Sequence, residues 1–196
     1  MKISSSSFFI ESLRKTGLLA ALICTVMLTA CTTVAPGYQA TVDNVKVLQK
    51  MPGNGVAEVG KFTVTDDSLN HLRIRASVYA SPANGSFSEY IKEALKNELA
   101  SAGKLGNKTS AIISGKLLKN YLDGSYGIGK ATVSVRFTVT RGTTISYEKI
   151  ITGETTWDSP FVAAIAIPEA QRNHTEAVKQ LLGNLFADPD FQKSIQ

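Results

Sequence analysis

The stretch Ala131-Thr132-Val133-Ser134-Val135-Arg136-Phe137-Thr138-Val139-Thr140 alternates apolar and polar side chains without a break. Neighbouring side chains on a strand point to opposite faces, so Val133, Val135, Phe137 and Val139 share one face while Thr132, Ser134, Arg136, Thr138 and Thr140 share the other. Such a strand suits a sheet covered on one side and wet on the other, a common state of antiparallel sheets. The flanks extend the pattern: residues 110–122 and 144–157 read as its neighbours. The glycine-rich loop 123–129 and the turn Arg141-Gly142-Thr143 are hairpin connections to them.

The layer that covers this sheet is legible on both sides of it. Phe87, Tyr90, Ile91, Ala94, Leu95 and Leu99 recur at helical spacing, with Lys92, Glu93 and Lys96 opposite. Ser86-Phe87-Ser88-Glu89 has the spacing of a capping box, and Gly103 is placed to close the helix, which predicts a helix over 87–102. A second amphipathic helix is expected after Pro168, a residue suited to a first helical turn, with Ala177, Val178, Leu181, Leu182, Leu185 and Phe186 as its stripe and Asp188-Pro189 as its stop. Upstream, strands are expected at 45–48 and 56–65, separated by the loop Met51-Pro52-Gly53-Asn54-Gly55, and at 72–80. In the last of these Leu72, Ile74, Ala76, Val78 and Ala80 alternate with Arg73, Arg75, Ser77 and Tyr79. The expected architecture is α+β: an antiparallel β-sheet of about five to six strands with two amphipathic helices packed on one face, forming one domain over residues 42–196.

The N-terminus carries a different signal. Lys2, Arg14 and Lys15 precede the uncharged stretch 16–30, which ends in Leu28-Thr29-Ala30-Cys31. Positive region, apolar region and small residues before a cysteine are the order of a lipoprotein signal peptide; Leu28, Thr29 and Ala30 would be read by the peptidase, and Cys31 would carry diacylglycerol. The apolar part falls short of the ~20 residues a permanent span requires. Residues 1–30 are thus expected to be the signal peptide and 31–41, with the breaker pair Pro36-Gly37, the lipidated cysteine and a flexible tether. Loss of Lys2, Arg14, Lys15 and Glu11 with that peptide leaves 18 basic against 15 acidic side chains, a net charge of +3. So mild an excess does not point to nucleic acid. Cys31 is the only cysteine remaining, and with its sulfur acylated neither a disulfide nor a thiolate metal site can form.

A lipobox, a tether, two or three strands, the helix Tyr90-Ile91-Lys92-Glu93-Ala94-Leu95-Lys96-Asn97-Glu98-Leu99, a long-stranded meander and a final helix ending in Asp188-Pro189-Asp190-Phe191 resemble the small bacterial lipoproteins of the YajG type. The resemblance covers most of residues 56–195 in element order and apolar pattern. It implies a non-enzymatic envelope lipoprotein, an accessory or assembly factor working through an envelope protein or lipid partner. Thr32 after the cysteine, where Asp would signal inner-membrane retention, implies the periplasmic face of the outer membrane. A looser likeness to auxiliary lipoproteins of lipid transporters implies the alternative of a lipid or lipopolysaccharide carrier, which needs an apolar cavity between helices and sheet.

No catalytic set, metal site or cofactor is expected. His71 and His174 lack partners at ligand spacing and read as exposed, and the nucleophile-elbow, HExxH and phosphate-loop patterns are missing. Asp66-Asp67 reads as an ordinary turn. Three features suit contact with the membrane or a partner. Arg73 and Arg75 share one side of the expected strand, a solvated face or a contact for anionic headgroups or an acidic patch; Phe161, Val162 and Ile165 belong to an apolar run of seven over 161–167, too short to cross a bilayer, which either folds under the last helix or forms an exposed contact patch. The Thr-rich sheet face around Arg136 is open to solvent or covered by a homodimer partner.

Overall fold

Local signals decide where the elements start and stop, and long-range packing decides their directions. The computed structural model describes residues 32–51, 55–107 and 109–196. The expected signal peptide and Cys31 lie outside the described residues. In chain order the elements are β1 (Thr32–Val34), α1 (Val42–Lys50), β2 (Glu58–Val64), a 3-10 turn (Asp67–Asn70), β3 (Leu72–Ile74), β4 (Ser77–Ala80), α2 (Phe87–Ser101), β5 (Ala111–Asp123), β6 (Gly127–Arg141), β7 (Thr144–Ser159), α3 (Ala163–Ala187) and α4 (Pro189–Ser194).

The stretch 131–140 is the heart of β6, which pairs antiparallel with β5 and with β7. Val133, Val135, Phe137 and Val139 are fully buried, and Arg136 is exposed. Helix α2 is capped by Ser86, whose Oγ accepts from the Glu89 amide at 3.3 Å, and Gly103 follows it at φ +70°. The α3 stripe Ala177, Val178, Leu181, Leu182, Leu185 and Phe186 is fully buried. Each such leucine or phenylalanine contributes about 1.5–3 kcal/mol. The helix backbone packs directly on the sheet at Gly153 on β7, where an added Cβ would stand 2.0 Å from the Ala177 carbonyl oxygen and 2.5 Å from the Leu181 nitrogen.

The fold is α+β, as expected, but among the described residues seven strands form two mixed sheets instead of one antiparallel sheet of five to six. Their orders are β1-β4-β3 and β2-β5-β6-β7, with β1 parallel to β4 and β2 parallel to β5. The physical reason is connectivity. Helix α2 intervenes between β2 and β5 and carries the chain back to the starting end, the crossover that parallel pairing demands. Side-chain alternation is the same for either direction.

Three local readings are corrected. Residues 45–48 are helical, within α1, because Thr41 caps them: its Oγ1 accepts from the Asn44 amide at 3.1 Å, Asp43 stands in the first turn and Lys50 in the last. These end effects outweigh the strand preference of Val42, Val45 and Val47. The expected strand 72–80 is a hairpin broken at Arg75, whose φ of 55° lies in the left-handed region. Helix α3 begins at Ala163, so Pro168 lies inside it, able to donate nothing to the carbonyl four residues back.

Residues 32–41 are not a free tether. β1 adds to the small sheet, and Ala35 and Tyr38 are buried. The Tyr38 hydroxyl donates to Glu98 Oε1 at 2.6 Å, the Thr41 amide donates to the same carboxylate at 3.1 Å, and Asn44 Nδ2 donates to it at 3.0 Å. Glu98 is fully buried, so this segment is clamped to α2 by a carboxylate with three donors.

Candidate functional site

Arg75 organises one end of the molecule. From its left-handed turn Nε donates to the Gly124 carbonyl at 3.0 Å, Nη1 to the Phe161 carbonyl at 2.6 Å and Nη2 to the Pro160 carbonyl. The Ser159 hydroxyl donates to the same Gly124 oxygen at 3.1 Å. The β3–β4 turn, the β5–β6 loop and the β7–α3 link are thereby tied together. These bonds offset the roughly 1–2 kcal/mol cost of a left-handed non-glycine residue.

Arg75 therefore does not pair with Arg73 on one strand face. Arg73 is exposed, and its Nη2 donates to the Ala76 carbonyl at 2.9 Å. The braced loops instead present apolar groups. Phe161, Val162, Ile165, Tyr126 and Ile128 are 54–77% exposed, and the Tyr126 and Phe161 rings meet edge to face at 5.8 Å. Of the run 161–167, Ala166 turns fully inward and Ile167 packs on the core. Sequence reasoning found Phe161, Val162 and Ile165 but missed Tyr126 and Ile128. The available signal was two large apolar residues in a glycine-rich turn, where polar groups are the norm.

The histidines divide. His71 is exposed, with Nε2 3.1 Å from Asp67 Oδ2, in a turn that Asp66 caps through the Ser68 amide. His174, expected at the surface, is buried on α3. Asn120 Nδ2 donates to the Leu69 carbonyl at 2.9 Å, which turns its Oδ1 toward His174 Nε2 at 2.8 Å. Nε2 then carries the proton, and Nδ1 faces the Tyr79 hydroxyl at 3.4 Å. The Tyr79 and Phe87 rings close over the imidazole. Burial drives its pKa down to about 4. The unfolded chain binds this proton first, so stability is full above about pH 6.5 and falls with pH toward 4, by roughly 3 kcal/mol in all. Urea midpoints should show that slope in the wild type and a flatter profile in His174→Gln; parallel profiles would contradict the assignment.

Among the described residues no three His, Cys, Asp or Glu side chains gather as metal ligands. A cleft of about 420 Å³ is lined by Arg141, Tyr147, Lys149, Asp190 and Lys193, among others, but the Lys149 ammonium is held by Asp188 and Asp190 at 2.8 Å each. The α3 stripe and the inward side chains of β5 and β6 belong to one contiguous apolar core. On the open sheet face Arg136 stands opposite Ile150, while Ser134 bonds Thr152 at 2.8 Å and Lys130 pairs with Glu154 at 2.7 Å. Among the described residues no helix is long and apolar enough to cross a membrane.

The class defined by these observations is an α+β domain with helices on one face of a mixed sheet and a braced apolar surface at one end. Similarity in three dimensions extends to a Xanthomonas campestris protein of the family named DUF330, with a TM-score of 0.55 at 9% identity, covering 79% of this chain and 94% of that one. A minor lipoprotein from Acinetobacter baumannii aligns at a TM-score of 0.41 and 11% identity over 64% of this chain and 87% of its own. The PelC dodecamer from Paraburkholderia phytofirmans gives 0.35 and 15% over 76% and 95%. The first likeness shows a shared fold, and the other two are too distant in shape to add to it. No protein-family model and no curated protein matches the sequence.

Proposed function

We propose that the chain is a lipid-anchored envelope lipoprotein of the YajG type with no reaction of its own. Cys31 holds it at the periplasmic face of the outer membrane, where it serves as an accessory or assembly factor through protein or lipid contacts. The observation that carries this reading is the joining of a lipobox-like stretch to a domain that presents Tyr126, Ile128, Phe161, Val162 and Ile165 together on one braced surface. Anchoring by two or more acyl chains is stable where a single chain is not. It confines the domain to the membrane surface and turns weak recognition into effective binding.

Metabolic labelling with palmitate and separation of the two membranes on a density gradient test the anchor. The wild type should carry label and migrate with the outer membrane, and Cys31→Ala should carry none. An unlabelled wild type would overturn the proposal. Crosslinking in intact envelopes then identifies the partner.

A further inference from the structure

We infer that the Arg75-braced end of the domain seats in the lipid headgroup layer around the anchor, so that the protein is held on the membrane in one orientation. The inference rests on lipidation of Cys31 as proposed above. Its argument is positional.

Thr32, the residue after Cys31, is already in the small sheet, opposite Val78, which in turn is opposite Arg73. β1 runs parallel to β4, so the chain enters the sheet at the end where the Arg75-Ala76 turn precedes β4. The packing of β1 on α3 gives the same direction. Gln171 Nε2 donates to the Val34 carbonyl at 3.1 Å, and further along Asn44 Nδ2 donates to the Lys179 carbonyl at 3.2 Å. The two segments run the same way, and going back from Val34 to Thr32 leads toward the first turns of α3, where Val162 and Ile165 project.

The acylated residue is therefore about 3.8 Å, one peptide link, from the folded sheet. The headgroup layer of a leaflet is about 5–8 Å thick, so a sheet joined to the lipid without slack must bring its nearest loops into that layer. Those loops and the first residues of β6 and α3 carry Tyr126, Ile128, Phe161, Val162 and Ile165. Aromatic groups with one apolar and one polar end suit such an interface. Arg75 holds the loops to each other, so they enter as one body. Exposed Arg73 lies in the same cross-strand row as Thr32 and supplies a cation for lipid phosphates. Asp123 beside Tyr126 is occupied by the Ser125 amide at 2.9 Å. A free tether of ten residues would have imposed none of this.

The test uses the acylated full chain purified from membranes and reconstituted into vesicles of phosphatidylethanolamine and phosphatidylglycerol. An environment-sensitive fluorophore is attached through Phe161→Cys, Ile128→Cys or Ile145→Cys; the thioether of acylated Cys31 does not compete for it. Ile145 is exposed at the far end of β7, fourteen residues from Ser159 and roughly 46 Å away along the strand. Labels at 161 and 128 should shift to the blue and lose most of their emission to lipids with brominated chains, while the label at 145 should yield only to aqueous iodide. Protein that floats with the vesicles but answers to iodide alike at all three positions overturns the seating and leaves the anchor standing. Labels at 161 and 128 shielded from both quenchers assign the surface to protein and also overturn it. Protein that does not float overturns the anchor and the seating together.

Discussion

Gly153→Ala is expected to destabilise the domain by about 4 kcal/mol, beyond the usual cost of overpacking. Ordinary overpacking is absorbed by side chains that change rotamer. Here the new methyl would meet backbone, the Ala177 carbonyl at 2.0 Å and the Leu181 nitrogen at 2.5 Å. Relief requires lifting α3 off β7, which pulls Val178, Leu181 and Leu182 from the core at once. For a domain of this size the loss lowers the melting midpoint by about 8–16 °C. Gly37→Ala, where nothing lies within 4 Å of the new methyl, should leave the midpoint near the wild-type value. Equal midpoints for the two variants would mean that α3 does not cross the sheet at Gly153.

Glu98→Ala should cost a similar amount, about 4 kcal/mol, by a different mechanism. The Tyr38 hydroxyl, the Thr41 amide and Asn44 Nδ2 would lose their shared acceptor, and a buried donor left unpaired costs about 1–3 kcal/mol. Burial, and then the Glu98 carboxylate, hold the Tyr38 phenol far above its ordinary pKa, so it remains a donor throughout the physiological range. Glu98→Gln keeps one acceptor oxygen and should lose less. The damage should also be localised: with the clamp gone, residues 32–41 detach first and become the flexible tether that their composition suggests. Hydrogen exchange at the β1 amides reads this directly. Unchanged protection there in Glu98→Ala would show that β1 is held by the sheet alone.

The contrast between these residues marks what was legible beforehand. Gly153 sits in a strand pattern with nothing to show that a helix crosses it, and Glu98 lies in a run of helical polar residues that resembles a wet surface. Both owe their weight to contacts far along the chain. His174 is similar: its neighbours in sequence are polar, but its neighbours in space are Tyr79, Phe87 and Asn120. By contrast Ser86 and Gly103 mark the ends of α2 by local hydrogen bonding and backbone geometry, and the expected span of 87–102 differs from the observed one by one residue.

For the surface, the sequence supplied the members but not their grouping. Phe161, Val162 and Ile165 stand out as apolar residues between two elements, whereas Tyr126 and Ile128 join them only because the β5–β6 loop folds against the β7–α3 link. Arg75 shows the limit most plainly. Alternation places it on a strand beside Arg73 with Ala76, Val78 and Ala80 on the apolar face, but the turn reverses the phase: β4 buries Ser77 and Tyr79 and leaves Val78 and Ala80 half-buried, which an unbroken alternation cannot show. The three carbonyls that hold its left-handed backbone come from residues 124, 160 and 161.

By itself the sequence determined the strands of the meander, the caps of α2 and the apolar stripes, because each depends on residues within a few positions of one another. Tertiary structure alone decided strand direction, the two-sheet division, the clamp on residues 32–41 and the end of the small sheet at which Thr32 enters. Those are outcomes of which distant surfaces fit together, and periodicity is blind to distance along the chain.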